Sequence, residues 1–299
     1  MDEVLNKYMI RKTKTQKEAF RSFLKNRFPG IKEDKHKLAT NMIYGDIEKS
    51  KFIFTAHYDT PAGLPFPNIA FPKSLILNIL YQLLIMIPIF MILTIITIIL
   101  SSFLSSNWVT IIIYLLVILM MYLMLNGKAN KNNYNDNTSG VVTLMEIIKK
   151  TGGRCTCIFF DNEEKGLIGS SSFRRRYNKI LKDKIIINID CIGDGDYILF
   201  MPRDVNEEDL DILTKYMNSS EKVLEMPKKG FIYYPSDHKV FSKYIAVAAF
   251  KKHKLFGLYL DKIHTKKDLN LDKRNIDIVS MILSKFILNI ERKNINEKI

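Results

Sequence analysis

Cysteine, tryptophan, glycine and proline are all scarce in this chain. Its 299 residues include 3 Cys, 1 Trp, 13 Gly and 9 Pro. Three cysteines cannot build a disulfide framework, so nothing in the composition calls for an oxidising compartment. The low Gly and Pro content excludes collagen-like and Pro-rich chains, and a 47% hydrophobic fraction excludes a disordered one. The first residues, MDEVLNKYMIRKTKTQKE, lack the apolar run of a signal peptide. The most informative absence is local. No charged residue occurs in the 54 positions from Ser74 to Gly127, although the chain as a whole carries a net charge of +14.

That uncharged block divides into two spans. Leu75 to Leu100 is 26 residues, about 39 Å as a helix and enough to cross a bilayer core of about 30 Å with tilt. Trp108 to Leu125 is 18 residues, about the minimum for a second crossing. Between them runs a short polar turn, SSFLSSN (101–107). Pro88 lies inside the first span, where membrane helices tolerate proline. Soluble core helices are rarely apolar on every face for this length, so a transmembrane hairpin over 73–127 is expected. It interrupts one discontinuous domain, 1–72 and 128–299. Lys73, Lys128 and Lys131 flank spans whose turn is uncharged. The positive-inside rule then predicts a two-helix membrane protein of the cell membrane with its soluble domain in the cytoplasm. The basic residues are scattered among acids with no aromatic-interleaved stripe, so anionic lipid, and no nucleic acid, is the expected partner of the excess charge.

Outside the block, short β-rich runs at Phe52–Ala56, Cys155–Phe160, Ile185–Ile189 and Ile245–Phe250 alternate with helical patterns. The helical patterns lie at Gln16–Phe28, Ser139–Lys150, Ser170–Leu181, Glu207–Met217 and Asn275–Arg292. Alternation of this kind predicts a three-layer α/β/α sandwich around a mainly parallel sheet. In such sheets ligands bind beyond the carboxyl ends of the strands. Three apolar runs deliver chemistry there: His57-Tyr58-Asp59 after the first, Asp161-Asn162-Glu163-Glu164 after the second, and Asp190 after the third. A loop with Asp136 and a distal His264 add further groups. Imidazole and carboxylate are the ligands Zn²⁺ takes when no thiolate is used.

These segments carry a resemblance. AHYDT (56–60), NDNTSG (135–140), FFDNEEKGLIGSSSF (159–173), NIDCIG (188–193), SDHKVF (236–241) and IHTKKDLNLD (263–272) resemble the co-catalytic di-zinc aminopeptidases of metallopeptidase clan MH. That group includes bacterial leucyl aminopeptidases, relatives of glutamate carboxypeptidase, and glutaminyl cyclases. The resemblance covers about residues 14–290 apart from the hairpin. It implies two Zn²⁺ ions bridged by Asp136, one completed by His57 and Asp190, the other by Glu164 and His264. Asp59 would orient His57, and Glu163 would act as the acid–base on a zinc-bridging water. Tyr233 would donate to the oxyanion or serve only as a pocket wall. The activity implied is removal of the N-terminal residue from a peptide. A glutaminyl cyclase-like enzyme and a catalytically inactive, membrane-tethered binding relative are the alternatives.

The remaining motifs lean towards structure. Ser236-Asp237-His238 looks like a hydrolase triad, but sequence neighbours seldom point at one another, so a structural or substrate-adjacent role is expected. Cys155, Cys157 and Cys191 read as small buried hydrophobes. Gly166 and Gly169 read as residues of a tight loop-to-helix turn. The departure from the family pattern is the hairpin, which enters between Asp59 and Asp136 and places the membrane beside the chemistry. Whether it only anchors the domain or also selects substrate is left open by the sequence.

Overall fold

The computed structural model describes residues 1–218, 221–227 and 232–296. Among the described residues nine strands form one sheet: β1 (Lys32–Lys35), β2 (Thr40–Tyr44), β3 (Phe52–His57), β4 (Thr156–Phe160), β5 (Ile185–Ile189), β6 (Tyr197–Arg203), β7 (Val223–Glu225), β8 (Tyr244–His253) and β9 (Gly257–Tyr259). Their order is β1-β2-β4-β3-β5-β8-β6-β7, with β9 paired to β8. The four central strands, β4-β3-β5-β8, are mutually parallel, and antiparallel pairs extend the sheet at both sides. β3 therefore lies between β4 and β5, and the residues that follow these three strands emerge side by side.

Alternation along the central strands builds two cores. Phe52, Phe54 and Ala56 of β3, Cys157 and Phe159 of β4, and Ile185, Ile187 and Ile189 of β5 face one side. There they meet Phe20 and Leu24 of α2 (Lys14–Arg27), Val141 and Leu144 of α5 (Gly140–Lys150), and Val279, Leu283 and Phe286 of α9 (Lys273–Asn296). Ile53, Ile158, Phe160, Ile186, Ala246 and Ala248 face the other side, with Phe173 of α6 (Ile168–Arg176) and Leu181 of α7 (Asn178–Leu181). Burial on both faces explains why these strands read as continuous apolar runs. α2 begins at a capping box, with the Thr13 side chain accepting from the Gln16 N–H while the Gln16 side chain accepts from the Thr13 N–H.

Sequence periodicity gave the central strands and most helices to within a few residues. It missed the outer ones for identifiable reasons. β1 is the charged run Lys-Glu-Asp-Lys at an edge, and Pro202 near the end of β6 reads as a strand breaker. The single helix expected over Ser170–Leu181 is two, because Tyr177 leaves helical geometry between α6 and α7. The pattern over Glu207–Met217 ends at Thr214, the last residue of α8 (Glu207–Thr214).

The uncharged block forms α3 (Leu75–Ser101) and α4 (Ser106–Asn126), whose 18-residue apolar stretches have mean hydropathy 3.0 and 2.6. No residue of α3 is buried, and of α4 only Val109 is. Both helices are long and apolar enough to cross a membrane, and neither is a core helix of the sandwich. α3 continues through Pro88. At their base the incoming and outgoing chains are zipped together: Gly63 N–H donates to the Lys128 carbonyl and Asn130 N–H to the Pro61 carbonyl, each at 2.9 Å.

His238 belongs to the second core, not to a triad. Its ring stacks parallel to Tyr234 at 6.1 Å and tilts against Tyr244 at 4.6 Å, while the Ser236 hydroxyl accepts from the Asn188 amide at 3.0 Å. Burial, reinforced by Lys239, pushes the His238 imidazole down to about 3. The unfolded chain therefore takes up a proton below about pH 6.5 that the native chain refuses, so this residue's effect is absent above that pH and destabilising below it. His238→Phe should narrow the stability loss between pH 7 and pH 5 by about 2 kcal/mol relative to the unsubstituted chain, as read from denaturant titrations at both pH values.

Candidate metal centre

Three parallel strands end within reach of one point. β3 hands over His57 and Asp59, the turn after β4 hands over Glu163 and Glu164, and Asp190 follows β5 directly. Asp136 arrives on the loop that leads into α5, and His264 on the loop after β9. His57, Asp59, Asp136 and Asp190 are all at most 5% exposed. Ligand atoms of His57, Asp136 and Asp190 lie within 4.8 Å of one another, as do those of Asp136, Glu164 and His264. A third overlapping group joins His57 to Glu163 and Glu164.

Asp136 connects the two halves. Its Oδ1 is 3.1 Å from His57 Nε2, and its Oδ2 is 2.9 Å from His264 Nε2. On the first side Asp190 Oδ1 stands 3.7 Å from His57 Nε2; on the second, Glu164 Oε2 stands 3.3 Å from His264 Nε2. Asp59 lies behind this arrangement. One of its oxygens is 3.5 Å from His57 Nδ1, and its two oxygens accept the backbone N–H groups of Glu163 and Glu164 at 3.0 and 3.3 Å. One carboxylate thus holds the backbone of the Glu-Glu turn and faces the imidazole.

The electrostatics describe a pocket short of positive charge. Burial alone would lower the proton affinity of His57, but Glu163, Asp136, Asp190 and Asp59 outweigh it and hold the imidazole well above its ordinary value. His264 is raised in the same way against burial by Glu164 and Asp136. Glu163 is pushed well above the usual carboxylate range, first by burial and then by Glu164, Asp237 and Asp190, with His57 opposing. Glu164 Oε1 and Asp190 Oδ1 accept no hydrogen bond from the described residues. Orphaned buried carboxylate oxygens beside two imidazoles fit a divalent cation, and this donor set, free of thiolate, suits Zn²⁺.

Several positioning groups were not legible in the sequence. Asp268 accepts the N–H groups of Asn135 and Asp136 at 2.8 and 3.1 Å and so fixes the Asp136 backbone; burial drives its own carboxyl up to about 8. Its position four residues after His264 was the only available signal. Arg11 is fully buried and ties the N-terminal segment to the site. Its guanidinium donates to the Tyr58 carbonyl, to the Tyr8 carbonyl at 2.6 Å and to Thr138 Oγ1 at 3.1 Å. Lys17 of α2 donates to Asp161 and Asn162 at 2.5 Å and braces the turn that carries Glu163. Nothing in the sequence around Arg11 and Lys17 separates them from their basic neighbours.

A cavity of about 580 Å³ opens over the cluster. The metal-ligand candidates and Glu163 form part of its lining, together with Cys191, Tyr233 and Tyr234. Tyr233 is 44% exposed, and its N–H donates to the Pro72 carbonyl at 2.8 Å, just before α3 begins. Asp237, fully buried, is pushed up to about 7 by that burial, against the pull of His57 and Ser170. Cys155 and Cys157 are buried with sulfurs 3.7 Å apart, as expected of small core residues. Gly169 permits the close approach expected of it: a Cβ there would meet the Asp161 carbonyl oxygen at 2.2 Å. Gly166 instead meets a conformational need, with φ of +95°.

The fold has solved relatives. The chain is similar to the LapA aminopeptidase of Legionella pneumophila, with 13% identity and a TM-score of 0.54 over 96% of this chain and 66% of that one. It therefore spans just under two thirds of that protein. It is also similar to a glutaminyl cyclase from an Acidobacteriales bacterium, with 14% identity and a TM-score of 0.58 over 98% of this chain and 92% of that one. No curated protein sequence matches the chain. The sequence model of peptidase family M28 matches residues 127–287, from the base of the hairpin through His264 and into α9. With more than half of its length matched, and with the cluster of His57, Asp136, Glu164, Asp190 and His264 at the ends of its central strands, the chain belongs to peptidase family M28.

Proposed function

We propose that the chain is a membrane-anchored di-zinc aminopeptidase that removes the N-terminal residue of peptides. The observation that carries this reading is the division of Asp136 between two ligand groups, one oxygen towards His57 and the other towards His264. His57, Asp190 and one oxygen of Asp136 would hold the first ion; Glu164, His264 and the other oxygen of Asp136 would hold the second. When bound, the ions polarise the scissile carbonyl, hold the free α-amine of the peptide and lower the pKa of the attacking water.

The chain's own residues supply the rest. Glu163 takes the proton from the attacking water and returns it to the leaving amine, a role suited to a carboxyl whose proton affinity is raised by burial and by like charges. Asp59 keeps the His57 Nδ1–H directed away from the ligand side and holds the backbone of Glu163 in register with it. Tyr233, on the cavity wall, donates its phenolic proton towards the developing oxyanion. α3 and α4 anchor this domain, 1–72 with 128–299, to the bilayer, and the flanking Lys73, Lys128 and Lys131 keep it on the cytoplasmic face.

Glu163→Gln should retain zinc while lowering kcat on an aminoacyl substrate by about 10²-fold or more. A variant with near-normal kcat would remove Glu163 from the mechanism. Cyclisation of an N-terminal glutamine, with one zinc per chain, would favour the cyclase alternative. For topology, cysteines placed at Phe103 and Leu255, 81% and 83% exposed, should behave oppositely. An impermeant reagent added to intact cells should label the first and spare the second; labelling at Leu255 would overturn the cytoplasmic assignment.

A further inference from the structure

The cavity over the metal cluster does not end at the soluble domain. Leu75, Asn78, Ile79, Gln82, Leu83 and Met86 of α3 line the same cavity as His57, Glu163 and His264. One face of the first apolar helix, over three turns, is thus a wall of the site. The base of the hairpin is bonded into that site as well. The Leu64 N–H donates to the carbonyl of His264 at 2.7 Å, and Ala70 and Leu260 exchange N–H···O=C bonds at 2.9 Å.

Helix lengths locate this wall relative to the bilayer. α4 has 21 residues, about 31 Å, which matches the hydrocarbon core with nothing to spare. α3 has 27, about 40 Å. A four-residue turn, 102–105, joins them at the far end, so the excess of α3 projects about 9 Å towards the domain. That excess corresponds to Leu75–Leu80. Tyr81 and Tyr122 then stand near the near-side interface, where tyrosine is favoured, and the Tyr81 hydroxyl donates to the Pro67 carbonyl at 2.5 Å. The cavity therefore begins at the metal cluster and reaches, at Leu83 and Met86, the boundary of the hydrocarbon.

Two polar side chains of α3 face this passage, and they differ. The Asn78 amide is engaged with the backbone: it accepts from Phe71 N–H at 2.9 Å and donates to the Phe71 and Ser74 carbonyls at 2.8 and 3.0 Å. Gln82 makes no hydrogen bond among the described residues, yet it sits on an uncharged, mainly apolar helix and lines the cavity. A polar side chain on a membrane helix is unfavourable unless it serves a partner. A primary amide offers both a donor and an acceptor, the pair that a peptide backbone requires.

We propose that the substrate is a peptide presented from the bilayer surface, with a free N-terminus followed by apolar residues that lie along Leu75, Ile79, Leu83 and Met86, and with the Gln82 amide hydrogen-bonded to its backbone. This deepens the aminopeptidase reading and rests on it. The rise from Leu75 to Met86, about 16 Å, is covered by about five residues of extended peptide. A soluble dipeptide ends short of most of that wall, whereas an apolar peptide held by lipid fills it and meets the site at raised local concentration.

The test uses the full chain reconstituted in phosphatidylcholine/phosphatidylglycerol vesicles. Peptides with one fixed N-terminal residue and a growing apolar tail, from two to eight residues, are compared by kcat/KM with polar-tailed peptides of equal length. The expected result is a rise with apolar length that levels off at about six residues, absent from the polar series. Gln82→Leu should lower kcat/KM for the longer apolar peptides about five- to tenfold more than for the dipeptide, through KM. Equal rates for the two series, or an equal effect of Gln82→Leu at every length, would overturn the proposal while leaving the peptidase reading intact. Failure to cleave any peptide, dipeptide included, would overturn both.

Discussion

The organisation of this protein depends on crowding like charges where water is scarce. Asp59, Asp136, Glu163, Glu164 and Asp190 converge on one pocket beyond the sheet. In a low-dielectric setting, carboxylates this close cannot all ionise without compensation. Two imidazoles answer part of the need and are drawn towards protonation as a result. In the proposed function divalent cations would answer the rest, and each ligand would then be deprotonated, so metal binding and the charge state of the pocket would be one equilibrium. Glu163 joins the same field outside the two ligand groups that share Asp136, and in the proposed function it is the group that holds and releases a proton.

The sheet makes such crowding tolerable by fixing every member from outside. β3, flanked by β4 and β5 in parallel register, sets the spacing of three of the five segments that carry the candidate ligands. Asp59, beside the His57 imidazole, holds the backbone of the Glu163–Glu164 turn, and Asp268 holds the backbone of Asp136. Arg11, buried against the carbonyl of Tyr58, closes the back of the site. These contacts restrain the ligands before any metal arrives, the preorganisation on which electrostatic catalysis draws.

Much of this was legible in the sequence, for physical reasons that also mark its limits. β3, β4, β5 and β8 are buried on both faces, so they stand out as apolar runs, and their carboxyl ends pointed to His57, Glu163, Glu164 and Asp190. The uncharged block reported its own helices because two helices that are apolar on every face, unlike the half-buried helices of the sandwich, leave a long unbroken run in the sequence. Edge strands such as β1 gave no such signal, since a charged, half-solvated strand resembles a loop. Arg11 was invisible because its partners, the carbonyls of Tyr58 and Tyr8 and the Thr138 hydroxyl, leave no pattern in the sequence, and Asp268 stood out only by its place after His264, since the N–H groups it accepts lie far away in sequence. The contact of α3 with the active site was equally hidden: an apolar residue facing lipid and one facing a cavity read alike. The sequence placed the hairpin near the chemistry, and only the folded arrangement makes it part of the wall.

The central claim is that Asp136 bridges two cations, and direct imaging of those cations tests it best. Anomalous diffraction at the zinc absorption edge, from crystals of the full chain grown with zinc, should show two peaks about 3.5–4 Å apart on either side of the Asp136 carboxylate. One should lie against His57 and Asp190, the other against Glu164 and His264. A single peak, or two peaks that do not share Asp136, would contradict the account.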